Sequence, residues 1–230
     1  GVVLSRSHRV EESVRVLKRA VEISPTFAMA WMDLSIAFQM LDRYEEALDC
    51  ALSAVHLVPE QTRALMVLGE SYFQIGDIDK AISTYQKGLK IEPDNMPLLS
   101  AMGIAFRTLG RQQDAIRCYE TCISKMPSLG EAYYNLANLK TYKFGDEQLA
   151  AMKEHVAQST LRPESRVNFH FALGKALEDR ENYDESFDHY QAGKLLRHKQ
   201  QPYRPEQVDD THERIRKVFG ANFADRVAGQ

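Results

Sequence analysis

Histidine and cysteine are the side chains in this sequence that could bind a metal or act in acid–base chemistry. Their spacing predicts that they pack between helices instead. The seven histidines contain no H-E-x-x-H or other metal-ligand spacing. His170 and His189 can meet inside one helical hairpin, where we expect a packed, hydrogen-bonded pair, with a metal or acid–base role as the alternative. Cys118 and Cys122 stand four residues apart without a second pair to complete a zinc site. With Cys50, they are expected to be small packing residues on helices.

Acidic residues occur in adjacent pairs, and their places in the chain indicate a structural role. Glu45–Glu46 and Asp184–Glu185 each fall at the start of a predicted helix, where negative charge favours the helix dipole. The chain also contains neither G-x-x-x-x-G-K-[ST] nor an Arg-Ser-Gly loop that could cradle a phosphate. We therefore predict no catalytic residue, no metal site and no cofactor in this chain, which is not expected to be an enzyme by itself.

The composition is that of an ordinary globular chain. Its 230 residues are 44% hydrophobic and 27% charged, with a net charge of −3. A charge this small gives no general attraction to nucleic acid or anionic membranes. No apolar run approaches the roughly 20 residues that cross a bilayer, and no signal peptide opens the chain. Three cysteines are typical of a reducing compartment. We predict a cytoplasmic protein with no nucleic-acid or membrane partner.

Four prolines reveal how the helices that carry these residues are arranged. Pro25, Pro59, Pro93 and Pro127 are each 34 residues apart, the period of a tetratricopeptide array. With each proline numbered 32 in its repeat, small residues recur at three positions where helices must approach closely. They are Ser35, Gly69, Gly103 and Ala137 at position 8, Ser13, Ala47, Ala81 and Ala115 at position 20, and Ala20, Ala54, Gly88 and Cys122 at position 27.

Large residues recur between the small ones at helical spacing. They are Trp31, Leu65, Leu99 and Tyr133 at position 4, Leu34, Leu68, Met102 and Leu136 at position 7, Phe38, Tyr72 and Phe106 at position 11, and Leu17, Tyr85 and Tyr119 at position 24, where Ala51 is the exception. Gly76 and Gly110 can end the first helix of a pair in a left-handed turn. The pattern predicts an all-α, right-handed superhelical solenoid of antiparallel helix pairs.

The period divides the chain into repeats that are regular at first and then displaced. A partial repeat at 1–27 supplies one helix from Val10 to Ile23. Full repeats follow at 28–61, 62–95 and 96–129, then a divergent repeat at 130–162, a fifth repeat at 163–199 and a helical bridge at 200–230. In the fifth repeat Gly174, Ser186 and Gly193 take the small positions, and Leu173, Leu177, Tyr183 and Tyr190 take the large ones. Because the first repeat lacks most of one helix, we expect the chain to be part of a longer protein with further repeats before it.

Two blocks near the end carry a more specific resemblance. YYNLANLKTYKFGDEQLAAM (133–152) and FHFALGKALEDRENYDESFDHYQAGKLLR (169–197) resemble the end of the repeat region in bacterial tetratricopeptide-containing sulfotransferases. RIRKVFGANFADR (214–226) is similar to that family's bridge into its catalytic domain. The resemblance implies a following domain that binds 3′-phosphoadenosine 5′-phosphosulfate (PAPS). No residue of that domain lies in these 230 residues, so no catalytic role is carried over.

Positions 2, 5, 9, 12 and 13 of each first helix are expected to line the concave groove of the solenoid. We predict that the following residues form a peptide-binding groove: Met29, Met32, Ile36, Met40, Arg63, Met66, Phe73, Ile104, Arg107, Tyr134, Asn138 and Tyr142. The strip is apolar and rich in methionine, which repacks around varied apolar partners. Arg63 and Arg107 are candidates to anchor an acidic group. The alternative is that some of these residues are simply core.

These features predict a scaffold that binds a protein or peptide, such as an amphipathic helix or apolar segment, in its groove. Two alternatives stay open. The repeats could complete the active site of a following PAPS-dependent sulfotransferase domain, or they could self-associate through the groove.

Overall fold

The computed structural model describes residues 2–139 and 141–200, and within those ranges the chain is entirely helices, turns and loops. The helices are α1 (Val2–Ile23), α2 (Ala28–Gln39), α3 (Tyr44–Leu57), α4 (Thr62–Gln74), α5 (Ile78–Ile91), α6 (Met96–Thr108), α7 (Gln112–Lys125), α8 (Gly130–Ala137), α9 (Asp146–Ala157), α10 (Pro163–Glu178) and α11 (Tyr183–Gln200). No helix in the described ranges is both long and apolar enough to cross a bilayer.

Consecutive helices pack as hairpins. The pairs are α2–α3, α4–α5, α6–α7 and α10–α11, and α3, α5 and α7 each also contact the helix that follows them. The first helices begin at Ala28, Thr62, Met96 and Gly130, so their starts share the 34-residue spacing of the prolines. Each proline lies in the turn between two hairpins, where its missing N–H and fixed φ cannot continue a helix.

Small residues at the crossings let the paired helices touch. Ala47, Ala81 and Ala115 are fully buried where the second helix of each pair meets the first. Ser35, at the same crossing, donates its hydroxyl proton to the Ala47 carbonyl at 2.8 Å. Ser13 is exposed, because α1, which begins at Val2 rather than at the predicted Val10, has no described helix before it.

Left-handed residues end the first helix of each hairpin, as predicted for two of them. Gly76 has a φ of +87° and Gly110 a φ of +73°. Asp42 and Glu181 hold the equivalent turns with φ values of 57° and 61°. A side chain in this region is strained, and only glycine adopts it freely.

The core between the hairpins consists of the predicted large residues. Tyr85, Tyr119 and Tyr133 are each at most 2% exposed. The three cysteines are buried and unpaired, as expected of packing residues. Burial raises the pKa of the Cys50 and Cys118 thiols to about 11 and that of Cys122 to about 12, so the thiols stay protonated and inert at neutral pH.

The regular pattern breaks after α8. This helix stops at Ala137, and it packs mainly against α10 instead of forming a full hairpin with α9. The contact is close, since a Cβ on Gly130 would lie 2.3 Å from the Ser165 carbonyl oxygen. In the last hairpin Leu173 and Leu177 are buried as predicted, but Tyr183 is 64% exposed, because no described helix covers that side of α11.

Two sequence predictions fall outside the described residues. They are the helical bridge at 200–230, of which only Gln200 is described, and the block at 214–226 within it.

Candidate functional site

The first helices of the hairpins form one continuous face. α2 contacts α4, α4 contacts α6, and α8 contacts α10, whereas the second helices α3, α5 and α7 lie farther from one another. In a curved stack the elements are closest on the inner side, which is the binding side of such solenoids. We call the solvent-facing side of α2, α4, α6 and α8 the groove face.

Hydrogen bonds between first helices hold this face in register. Arg63 on α4 donates to the Met29 sulfur and to an Asp33 oxygen on α2, both at 2.8 Å. Ser100 on α6 donates to a Glu131 oxygen on α8 at 2.8 Å. The spacing of neighbouring first helices is therefore fixed by contacts made along the groove itself.

Most apolar side chains predicted on the groove face are only partly buried. Met29, Ile36, Met66, Phe73 and Ile104 share this intermediate exposure. Met40, at the end of α2, is 52% exposed. Since none is fully enclosed by its own hairpin, the row leaves apolar surface open to a partner.

Two residues predicted to line the groove lie elsewhere. Met32 is 1% exposed and packs in the core with Ala51 and Ala64 between hairpins, so a partner cannot reach it. Tyr142 follows the early end of α8 and turns toward α7, where its hydroxyl donates to Glu120 at 3.2 Å. The prediction assumed that α8 continues through residue 142, and that assumption was wrong.

The two predicted arginine anchors differ in their surroundings. Arg63 is engaged by Asp33. Arg107 on α6 is half-buried, and its guanidinium has no hydrogen-bond or ion-pair partner among the described residues. Asn138, the residue that ends α8, is exposed at the edge of the face. Arg107 is thus the better placed of the two arginines to meet an acidic group.

An aromatic cluster extends the groove face beyond the predicted residues. Tyr134 on α8 and Phe171 on α10 meet edge to face, with ring centroids 6.1 Å apart. The Arg197 guanidinium lies 4.5 Å from the Phe171 centroid and 5.9 Å from that of Tyr134. Phe171 occupies position 5 of its hairpin, as Met66 and Tyr134 do in theirs, so the repeat register already contained the signal.

The predicted histidine pair is present. The Nδ1 atoms of His170 on α10 and His189 on α11 are 3.0 Å apart. Burial, then the neighbouring His189 and Arg166, lower the pKa of His170 to about 4. Burial also lowers the pKa of His189. Both rings are therefore neutral at pH 7, and the Nδ1–H of one donates a hydrogen bond to the Nδ1 of the other across the helix crossing.

The acidic pairs lie in the first turns of α3 and α11, as predicted. A hydrogen bond from Arg43 lowers the pKa of Glu46. A hydrogen bond from Lys153 does the same for Glu185. Glu46 and Glu185 are thus partners of nearby cations in the first turn of a helix, where negative charge also favours the helix dipole.

Two recesses lie away from the groove face. One of about 390 Å³ is lined by residues that include Met126, Leu129, Leu161 and Ser165. Another of about 360 Å³ lies over Met102 and Cys118, where α6 meets α7. The groove face itself is an open surface, a shape that suits an extended partner better than a small molecule.

Comparison with known proteins agrees with this architecture. The family model of the TPR repeat matches residues 69–110. A crystal structure of MamA protein matches with a TM-score of 0.51 at 15% identity, over 87% of this chain and 90% of that chain. A MamA RS-1 ArsTM double mutant matches with a TM-score of 0.54 at 22% identity, over 76% of this chain and 97% of that one. No curated protein sequence matches the chain.

These similarities concern the fold. Within the described residues the chain is a stack of helical hairpins with the fold of a tetratricopeptide-repeat solenoid, as its 34-residue period predicts.

Proposed function

We propose that the chain is a non-catalytic scaffold whose groove face binds an amphipathic helix or apolar segment of another protein. The observation that carries this proposal is the row of partly buried apolar side chains along α2, α4 and α6. Contiguous apolar surface is seldom left bare in water, because its burial against a partner is favourable.

The chemistry of the row fits a helical partner. Met29, Met40 and Met66 are unbranched and adaptable, so they can pack against different apolar side chains. An amphipathic helix presents its apolar residues every three to four positions and lies along such a groove. Arg107 supplies a cation beside the row for an acidic residue at the edge of that helix.

Peptide selection tests the proposal directly. A display library of amphipathic helical peptides is selected against the wild-type chain, and the Kd of a selected peptide is measured by calorimetry. Replacing Met66 and Phe73 together by serine is expected to weaken binding at least about tenfold, since each large apolar contact contributes roughly 1.5–3 kcal/mol. Circular dichroism verifies that the variant remains folded.

Leu52→Ser is the matched control for this experiment. Leu52 is 42% exposed on α3, a second helix that lies outside the groove face. Its replacement removes exposed apolar surface outside the groove face and is expected to leave the Kd unchanged. Equal binding by the wild type and the Met66/Phe73 variant would place the partner elsewhere on the chain.

Self-association is the second candidate function. The same variants distinguish it from binding of another protein. Light scattering of the wild type would show an oligomer if a second copy fills the groove face. That oligomer should then dissociate in the Met66→Ser, Phe73→Ser variant and persist in Leu52→Ser. A monomer at all concentrations excludes this candidate.

The relation to sulfotransferases is a proposal about a longer protein. It rests on the sequence blocks at 133–152 and 169–197, which include the region where α8 packs directly against α10. There the repeats would either present a bound protein to a PAPS-dependent domain or complete its active site. Sequencing the gene beyond residue 230 tests this, because the relation requires a strand followed by an Arg-Ser-Gly-like loop.

A further inference from the structure

We infer that Glu70 makes the groove selective for a partner whose apolar face carries one lysine or arginine. This inference rests on the proposed function and specifies the partner's chemistry. Glu70 lies on α4 between Met66 and Phe73, at the i, i+4, i+7 spacing of a single helix face. All three side chains are half-buried.

Glu70 interrupts a row that is otherwise apolar. The equivalent position of the preceding hairpin holds Ile36, and that of the following hairpin holds Ile104. Both isoleucines are half-buried on the groove face. A partner helix lying across α2, α4 and α6 therefore meets one carboxylate in the middle of an apolar strip.

The carboxylate of Glu70 has no cation or hydrogen-bond donor beside it within the described part of the chain. No lysine, arginine or hydrogen-bond donor there engages it, whereas Arg63 on the same helix is taken by Asp33. Burial raises the pKa of Glu70 above its ordinary value. Burial also raises the pKa of the underlying Tyr85, and the negative charge of Glu70 raises it further, so the two groups are neighbours.

A half-buried carboxylate without a cation is costly, and a cation from a partner offsets that cost. The sign of the pH effect follows from the raised pKa. The folded chain takes up a proton on Glu70 more readily than the unfolded chain, so the contribution of Glu70 to stability is greatest at acid pH. That contribution is lost as the pH rises through the pKa of the folded state. A lysine or arginine of a partner favours the ionised form of Glu70 and offsets the cost of burying that charge.

A peptide pair series tests the inference. The probe is one amphipathic helical peptide selected for groove binding, in which lysine or norleucine is placed at each position of the apolar face in turn. At one position the lysine peptide should bind the wild-type chain about tenfold more tightly than its norleucine counterpart. Glu70→Gln should reduce that preference to about twofold or less.

Glu45→Gln is the matched control, because Glu45 is an exposed carboxylate on α3, a second helix that lies outside the groove face. It should keep the lysine preference. A second readout is the Glu70 carboxyl resonance, whose pKa should be raised in the free chain and fall when the lysine peptide is bound.

The outcomes separate this inference from the proposed function. If no lysine peptide binds better than its norleucine counterpart, or if Glu70→Gln keeps the preference, the inference is wrong. Binding that still depends on Met66 and Phe73 in that case leaves the scaffold function standing. Peptide binding that is indifferent to Met66 and Phe73 overturns the proposed function as well.

Discussion

At the scale of single residues, burial decides the chemistry of the titratable groups. His170 occupies position 4 of its hairpin, where other hairpins place Leu65, Leu99 or Tyr133. A neutral imidazole fills that position and bonds to His189. Because the position is packed, the histidine pair behaves as part of the core and not as a reactive site.

The pair makes the last hairpin sensitive to acid. The pKa of His170 is lowered from 6.5 to about 4, so the unfolded chain binds a proton there at a higher pH than the folded chain. The contribution of neutral His170 to the free energy of unfolding is fully present above pH 6.5. It falls as the pH decreases toward 4, at a slope of at most about 1 kcal/mol per pH unit.

His170→Leu should flatten this dependence, which urea unfolding at several pH values between 7.5 and 4.5 would measure. Part of the slope should remain, because burial also lowers the pKa of His189. Other charges near the pair are Arg166 on α10, Lys153 on α9, and Glu185 and Asp188 on α11. The exposed His56→Gln is the control, and a profile unchanged by His170→Leu contradicts the prediction.

At the scale of elements, glycine and tyrosine act together at the crossing inside the α4–α5 and α6–α7 hairpins. A Cβ on Gly69 would lie 2.2 Å from the Tyr85 ring, and one on Gly103 would lie 2.5 Å from the Tyr119 ring. The first full hairpin instead combines Ser35 with Ala51. Position 8 is therefore glycine where position 24 is tyrosine, which explains why Ala51 departs from the pattern of large residues.

Gly69→Ala should lower the free energy of unfolding by about 1–3 kcal/mol, because the Tyr85 ring is 2% exposed and cannot move aside. The same change in a Tyr85→Leu background should cost much less, with a coupling energy of about 1–2 kcal/mol. Chemical denaturation of the four proteins in this cycle measures both values. Additive effects of the two substitutions would show that the ring is not the obstacle.

At the scale of the whole molecule, the stack is held by contacts between neighbouring helices. α1 contacts α2, and the contacts pass from hairpin to hairpin until α11, which packs on α10. The groove face runs along the same stack, so its rigidity depends on local interfaces and not on one central core.

Because each hairpin contacts only its neighbours, a substitution that destabilises one hairpin should destabilise mainly that hairpin and the helices beside it. Gly103→Ala strains the α6–α7 crossing, and amide hydrogen exchange should become faster in α6, α7 and the helices that touch them. Exchange in α2 and α11 should change least, since neither contacts that hairpin directly. Mass spectrometry of peptic fragments reports each helix separately. Uniformly faster exchange along the chain would indicate a single cooperative unit instead.

The sequence by itself determined the repeated part of the fold. The 34-residue spacing from Pro25 to Pro127 and the small residues at fixed positions predicted the hairpins, the buried crossings and the left-handed glycines. These features are local, because the helical period alone decides which side chains share a face. The same register predicts that Met66, Phe73 and Ile104 line the groove face.

Only the tertiary structure decided which groups meet across elements. The sequence could not show that Met32 is enclosed by the next hairpin, or that α8 stops at Ala137 and turns Tyr142 toward α7. Nor could it show that no cation from residues 2–139 or 141–200 pairs with Glu70. Spacing along a helix fixes the direction of a side chain, but burial and pairing depend on residues about thirty positions away that only the packed stack brings near.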